Sequence, residues 1–221
     1  NGQWQPLTEQ LAHELFEALE PEVQENVDST NLAQVAQYYV IQKKRNALNA
    51  KVHFFYESKQ NVRNELYTNL AALPFYLTIT STPDIKFFEA LKNADKDPVV
   101  DRYNFRGENQ MMVHEGTVEC PLIYHLYGIV NEPDSLVLTG IDLIDFLAAV
   151  IAKNPPLPNN ILSQLRDPNK SLLFLGFGLK HWYLRILLHV LYGRNRESSS
   201  FALERCVPSN VKEFRQAILF F

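Results

Sequence analysis

A short apolar run closed by proline at one end and glycine at the other, Pro121-Leu122-Ile123-Tyr124-His125-Leu126-Tyr127-Gly128, constrains the fold more than any other stretch of the chain. A run of that length between turn residues reads as a buried strand of an α/β protein. His125 lies three residues before the glycine, near the strand's end. In open parallel sheets, ligands bind in the crevice at the carboxyl ends of the strands. Two readings of His125 stay open at this point: a group that does chemistry, or a core histidine satisfied by a backbone carbonyl.

Two further runs resemble it in kind. Pro74-Phe75-Tyr76-Leu77-Thr78-Ile79-Thr80 reads as a strand that empties into Ser81-Thr82-Pro83-Asp84, with a helix from Ile85 to Ala94 behind it. In such a corner Thr82 and Asp84 either carry function or simply turn and cap the chain. Ser171-Leu172-Leu173-Phe174-Leu175-Gly176-Phe177-Gly178 reads as a central parallel strand buried on both faces, its glycines letting backbone approach a neighbour closely. The expectation is one parallel sheet with strands over 74–80, 121–126 and 171–176. Its shared edge would gather Thr80, Thr82, His125, Gly176 and Gly178. Val99 to Phe105 reads as an edge strand and Ser135 to Thr139 as another short strand.

Helical periodicity fills the rest. Leu7, Leu11, Leu15 and Leu19 mark a first helix, stopped at Glu20-Pro21-Glu22. Asn31 suits the cap of a second, whose Leu32, Val35, Ala36, Tyr39 and Val40 share one face. Lys43-Lys44-Arg45 lies toward its end, as a solvated basic face complementing the helix dipole. More helix is expected over Val62 to Leu70. Thr139-Gly140-Ile141-Asp142 has the broad form of a capping box, followed by an apolar face of Leu143, Phe146, Leu147 and Val150. Pro155, Pro156 and Pro158 mark a rigid connection. Leu184, Leu187, Leu188 and Leu191 form a last helix that stops before Gly193, with His181 and Trp182 as helix-start and packing residues. Met111 and Met112 are expected to fill gaps in the core. Ser200 to Leu203 and Ala217 to Phe221 are apolar enough for further strand or helix.

Composition then excludes several classes. With 221 residues, 46% apolar and 21% charged, the chain is expected to form a single globular domain over 1–221. A net charge of −4 leaves no whole-chain footprint for nucleic acid, whose one foothold is Lys43-Lys44-Arg45. No apolar run reaches the ~20 residues of a membrane span. The polar opening lacks a secretory leader, so a cytoplasmic location is expected. Cys120 and Cys206 lack CxxC spacing and indicate neither a disulfide framework nor a zinc ribbon. The apolar ending Ile218-Leu219-Phe220-Phe221 calls for a cover, and more polypeptide is expected to follow it.

These motifs, taken together, resemble the sirtuin-like family. Pro121 to Gly128 is similar to the strand with that family's catalytic histidine and following glycine. Tyr76 to Asp84 is similar to its threonine-rich turn. Leu136-Val137-Leu138-Thr139 with Asp142 and Phe146 resembles a later motif, as does Leu173 to Leu179 with Trp182 and Arg185. Val35-Ala36-Gln37-Tyr38-Tyr39 resembles its helical insertion. The likeness is greatest to the prokaryotic branch that cleaves NAD in antiphage defence, where the domain heads a larger protein. The resemblance implies a Rossmann-like parallel sheet with helices on both faces and a helical insertion. It implies NAD as substrate, His125 and Thr82 as catalytic residues, and Thr80, Asp84, Gly176, Phe177 and Gly178 as NAD-binding residues. It also implies a homo-oligomer, with attached domains or a sensor partner, acting as a cell-suicide NAD+ hydrolase. The alternative is a catalytically silent nucleotide-binding or assembly module.

The chain departs from the family pattern in three places. Relatives carry asparagine at the position of Thr82, where it positions ribose and water. Only Asn1-Gly2 stands in the region of the glycine-rich phosphate loop. Deacylases of the family carry a four-cysteine zinc module, which two cysteines cannot build, so no metal and no deacylation are expected.

Overall fold

The structure, a computed structural model, describes residues 5–59, 64–176, 181–193 and 200–203. These fall into two compact units, Asn1–Asn109 with His114–Ala148 and Gln110–Val113 with Ala149–Phe221.

The first unit opens with helices. α1 (Leu7–Phe16) follows Pro6, and α2 (Pro21–Gln24) is a single turn carrying its proline at the first helical position. α3 (Leu32–Lys43) is capped by Asn31, whose side chain accepts from the Gln34 amide at 3.2 Å. Such a cap contributes about 1 kcal/mol. α4 (Arg45–Lys59) follows at once, after a break at Lys44. Leu11, Leu15, Val35, Ala36, Leu48, Val52 and Phe55 from α1, α3 and α4 form one buried cluster, which also takes in Leu136 and Leu138. α5 (Glu65–Ala71) is capped by Asn64.

The sheet of this unit holds β1 (Leu77–Thr80), β2 (Val99–Arg102) and β3 (Leu122–His125), all parallel, in the order β1-β3-β2. α6 (Lys86–Lys92) lies between β1 and β2 in the chain. Placing β3 in the middle gives it ladder partners on both sides, which is why all four of its residues are buried. Ile123 joins a cluster with Ala71 of α5 and Leu91 of α6, against Phe87, Phe88 and Val100. The β2 edge strand starts where the sequence puts it, at Val99, but stops at Arg102, short of the expected Phe105. The 135–139 strand does not form: 133–135 form a 3-10 turn and 136–139 run without ladder partners. The Leu138 and Thr139 amides are taken instead by the Asp142 side chain, which starts α7 (Gly140–Ala152). Phe146 of α7 stacks edge-on against Tyr103, Phe105 and Tyr127. Gly128, at φ +80°, brings its Cα so close to Ser135 that a Cβ would lie 2.2 Å from the carbonyl oxygen. Only glycine fits there.

The second unit contains α8 (Asn159–Arg166), β4 (Leu172–Leu175), α9 (Trp182–Tyr192) and β5 (Ser200–Leu203). β4 pairs in parallel with β5 in a separate two-stranded sheet, so the expectation of one sheet through 171–176 is corrected. Nor is β4 buried on both faces: Phe174 packs with Leu188, while Leu173 is exposed. Arg166 donates to the carbonyls of Leu191 and Val190 at 3.0 Å each, tying α8 to the end of α9. Met111 and Met112 are exposed and do not fill a core. Trp182, 65% exposed, is not a packing residue, although His181 does sit at the cap of α9. Ala217 to Phe221 lies outside the described residues. The fold is α/β and Rossmann-like, a small parallel sheet with helices.

Candidate functional site

Register decides what meets at the carboxyl edge of the three-stranded sheet. In the β1–β3 ladder Thr80 stands beside His125, and in the β2–β3 ladder Arg102 stands on its other side. The Leu126 amide continues the first ladder to the Thr80 carbonyl at 2.8 Å, and the Tyr103 amide continues the second to the His125 carbonyl at 2.9 Å. The edge is thus bonded one residue past the strands, holding the imidazole between two anchored peptides.

The turn after β1 folds over that imidazole. The Thr80 side-chain oxygen accepts from the Thr82 amide at 3.1 Å and lies 2.9 Å from the Thr82 hydroxyl. Asp84 accepts from the Lys86 amide at 3.0 Å, which starts α6, and the Val130 amide bonds the Pro83 carbonyl at 2.9 Å. A turn pinned at three points presents the Thr82 carbonyl 2.9 Å from His125 Nδ1. A carbonyl can only accept, so Nδ1 carries the hydrogen and Nε2 keeps its lone pair. Among the described residues nothing hydrogen-bonds Nε2. Burial is the largest influence on the ring and pushes its pKa below the ordinary 6.5, against the opposing pull of the Thr82 carbonyl and the Asp84 charge. The imidazole is therefore neutral at pH 7.

Two tyrosines from the preceding helices feel the Asp84 charge. Burial first, and then the Asp84 carboxylate, raises the Tyr67 hydroxyl to about 12, against an opposing pull from the Thr82 side chain. Burial, Asp84 and Tyr67 likewise raise Tyr56. Both hydroxyls stay protonated. Neither tyrosine is visible as a site residue in the sequence, because α4 and α5 bring them in from outside every strand motif. Arg102 is also new, although it is engaged, donating to Glu132 at 2.6 Å.

The structure therefore brings Thr80, Thr82, Asp84 and His125 together in the first unit. Gly176 follows β4 in the second unit at φ +57°, with open space where a Cβ would stand. Phe177 and Gly178 lie outside the described residues. His125 itself is 1% exposed, and Thr82 is the exposed member of the group.

A second polar cluster sits on the same unit. Asp142 accepts from Arg45 at 2.6 Å, from Arg106, and from the Leu138 and Thr139 amides at 2.9 and 3.0 Å. Burial would raise its carboxyl, but the two amides and Arg45 outweigh it and hold the pKa below 3.8. With Arg45 also donating to Asn49 at 3.0 Å and to the Leu136 carbonyl at 3.0 Å, the cluster is fully paired and structural. Arg45 is thus no part of a free basic face.

Among the described residues, no group of three or more His, Cys, Asp or Glu could hold a metal ion, and no helix is long and apolar enough to cross a membrane. No curated protein matches the sequence. A family model described as a SIR2-like domain matches residues 86–219, a span that includes His125 and Gly176 and begins just past Thr80, Thr82 and Asp84.

Proposed function

The chain belongs to the SIR2-like domain family, and from that premise we propose that it is an NAD+ glycohydrolase, with water and NAD+ giving nicotinamide, ADP-ribose and a proton. The family is one of NAD-related proteins, and the site chemistry fits the nicotinamide-ribose end of NAD. Thr80 and Thr82 offer hydroxyls to ribose, and Asp84 places a negative charge beside the imidazole. The observation that carries the reading is the His125 tautomer, fixed by the Thr82 carbonyl with Nε2 left as a base.

NAD brings a leaving group already activated by its pyridinium charge, departing through an oxocarbenium-like transition state of the kind met in glycoside cleavage. No strong acid is then required. His125 Nε2 takes a proton from the attacking water or a ribose hydroxyl and returns it to solvent, a contribution of typically ~10²–10⁴-fold. Thr82 holds water or ribose through its hydroxyl. Backbone at Gly176 and Gly178, with Phe177 between them, is assigned to the ribose or adenine. The wider setting we propose is a cytoplasmic cell-suicide effector of antiphage defence, acting as a homo-oligomer with attached domains or a sensor partner.

The assembled protein should release nicotinamide from NAD+ with no acylated peptide present. His125→Ala should abolish release while leaving circular dichroism and melting intact. Retained turnover in a folded His125→Ala protein would remove the base assignment. One observation favours a second reading, a silent nucleotide-binding module: at 1% exposure His125 is closed off in this conformation. A wild type as inactive as His125→Ala under all activating conditions, yet binding NAD, would establish that reading instead.

A further inference from the structure

We propose that Lys86 is a further substrate-binding residue, whose ammonium donates to the carbonyl oxygen of the nicotinamide carboxamide while Asp84 accepts from its nitrogen. This rests on the reading of NAD as substrate, and adds the residue that chooses between forms of the base. Lysine is rarely buried without a partner, because an unpaired charge is costly away from water. Lys86 is 9% exposed, yet among the described residues no hydrogen bond or ion pair reaches its ammonium. Asp84 is 6% exposed and spends Oδ1 on the Lys86 amide at 3.0 Å, and no hydrogen bond among the described residues takes Oδ2. The two charges stand two residues apart without pairing. Neither Oδ2 nor Nζ is sealed from solvent as the Tyr124 hydroxyl is. An acceptor and a donor thus open from buried stems, each unspent.

Topology carries both groups to the edge where His125 ends its strand. β1 and β2 are each parallel to β3, so α6, between them in the chain, runs back from the carboxyl edge. Lys86 is the first residue of α6. Helical side chains lean toward their helix N-terminus, which sends Lys86 out over that edge. Leu91 of α6 packs with Ile123 of β3, and His125, two residues on, projects from the same face of the sheet. Asp84 closes the turn whose Thr82 carbonyl lies 2.9 Å from His125 Nδ1. The chemistry then selects the ligand group. A primary carboxamide needs an acceptor for its N–H and a donor for its oxygen, side by side. Nicotinamide carries that group. A carboxylate in its place would keep the attraction of Lys86 and meet repulsion from Asp84, so the pair favours the amide.

The test measures binding by calorimetry in the full chain carrying His125→Ala, so that no ligand is consumed. Three probes are compared: NAD+, 3-acetylpyridine adenine dinucleotide, which keeps the oxygen and lacks the N–H, and nicotinic acid adenine dinucleotide, which carries a carboxylate. Lys86→Met, which keeps the packed stem, should weaken the first two by the same factor, about tenfold, the scale of one charge-assisted hydrogen bond. The carboxylate form should lose more, because only the Asp84 repulsion remains. Lys86→Arg should retain most of the affinity for all three. Melting of Lys86→Met should hold or rise, since an unpaired buried charge is removed. Three affinities that stay equal to those of Lys86, or that fall by one common factor together with melting, would overturn the proposal. Nicotinamide release with His125 restored separates the two readings. No release alongside the expected binding pattern keeps Lys86 in its role and removes the hydrolase; release that Lys86→Met leaves unchanged in KM keeps the hydrolase and removes Lys86.

Discussion

At His125, burial and hydrogen bonding act in opposite directions, and burial wins. The consequence is a base ready at neutral pH, with its acid limb below 6.5. The kcat/KM for nicotinamide release should stay flat from there upward, and an inflection above that value would contradict the assigned base. The same shift affects stability. The unfolded histidine binds its proton at a higher pH than the folded one, so the unfolded state carries more protons in the window below 6.5. Stability should fall as pH drops through that window and then level off below the folded pKa. His125→Gln should remove this step, as followed by urea unfolding at several pH values. Thr82 gives the other prediction at this scale. A carboxamide offers two donor hydrogens and an acceptor where threonine offers a single hydroxyl. In an active hydrolase, Thr82→Asn should therefore keep or raise turnover; in a silent module it should leave NAD affinity nearly unchanged.

Elements test a different balance. The start of α7 is a reciprocal cap: the Thr139 hydroxyl accepts from the Asp142 amide at 3.1 Å, and Asp142 accepts from the Thr139 amide. The sequence shows this cap, because its four residues are contiguous. The two arginines that join Asp142 come from 36 and 97 positions away, and no local pattern reveals them. Asp142→Ala should cost about 3 kcal/mol in urea unfolding, since it leaves Arg45 and Arg106 without their shared carboxylate. With its folded pKa below 3.8, Asp142 stabilises fully above that value and loses its contribution as pH falls through the folded one. The junction of α3 and α4 is less legible. No proline or glycine marks it, and the break falls on Lys44 at φ 76° and ψ 159°, a region otherwise used by glycine. Lys44→Gly should therefore raise stability, by about 1 kcal/mol. A drop in melting temperature would show that the Lys44 side chain contributes more than its backbone strain removes.

At the scale of the molecule, a chain with two cysteines, Cys120 and Cys206, has no four-cysteine module to lose. Incubation with a strong chelator should leave both melting temperature and nicotinamide release unchanged, and a fall in either would point to a metal with a part in fold or activity. Short-range pattern was enough to place strands within 74–80 and 121–126, of which 77–80 and 122–125 form, along with the Asn31 and Thr139 caps and the polar corner from Thr80 to Asp84. Each of these is a decision among neighbours in the chain: alternation of apolar residues, a side chain reaching the next turn, a proline fixing φ. Pairing is not such a decision. Which ladder β4 joins, how β3 comes to lie between β1 and β2, and which tyrosines feel the Asp84 charge depend on surfaces brought together from distant segments. The sequence determined that a histidine ends a buried strand. The tertiary structure decided that the Thr82 carbonyl, 43 residues away, takes the hydrogen on Nδ1 and leaves Nε2 as the base, because hydrogen-bond partners across a sheet edge are chosen by register and not by sequence distance.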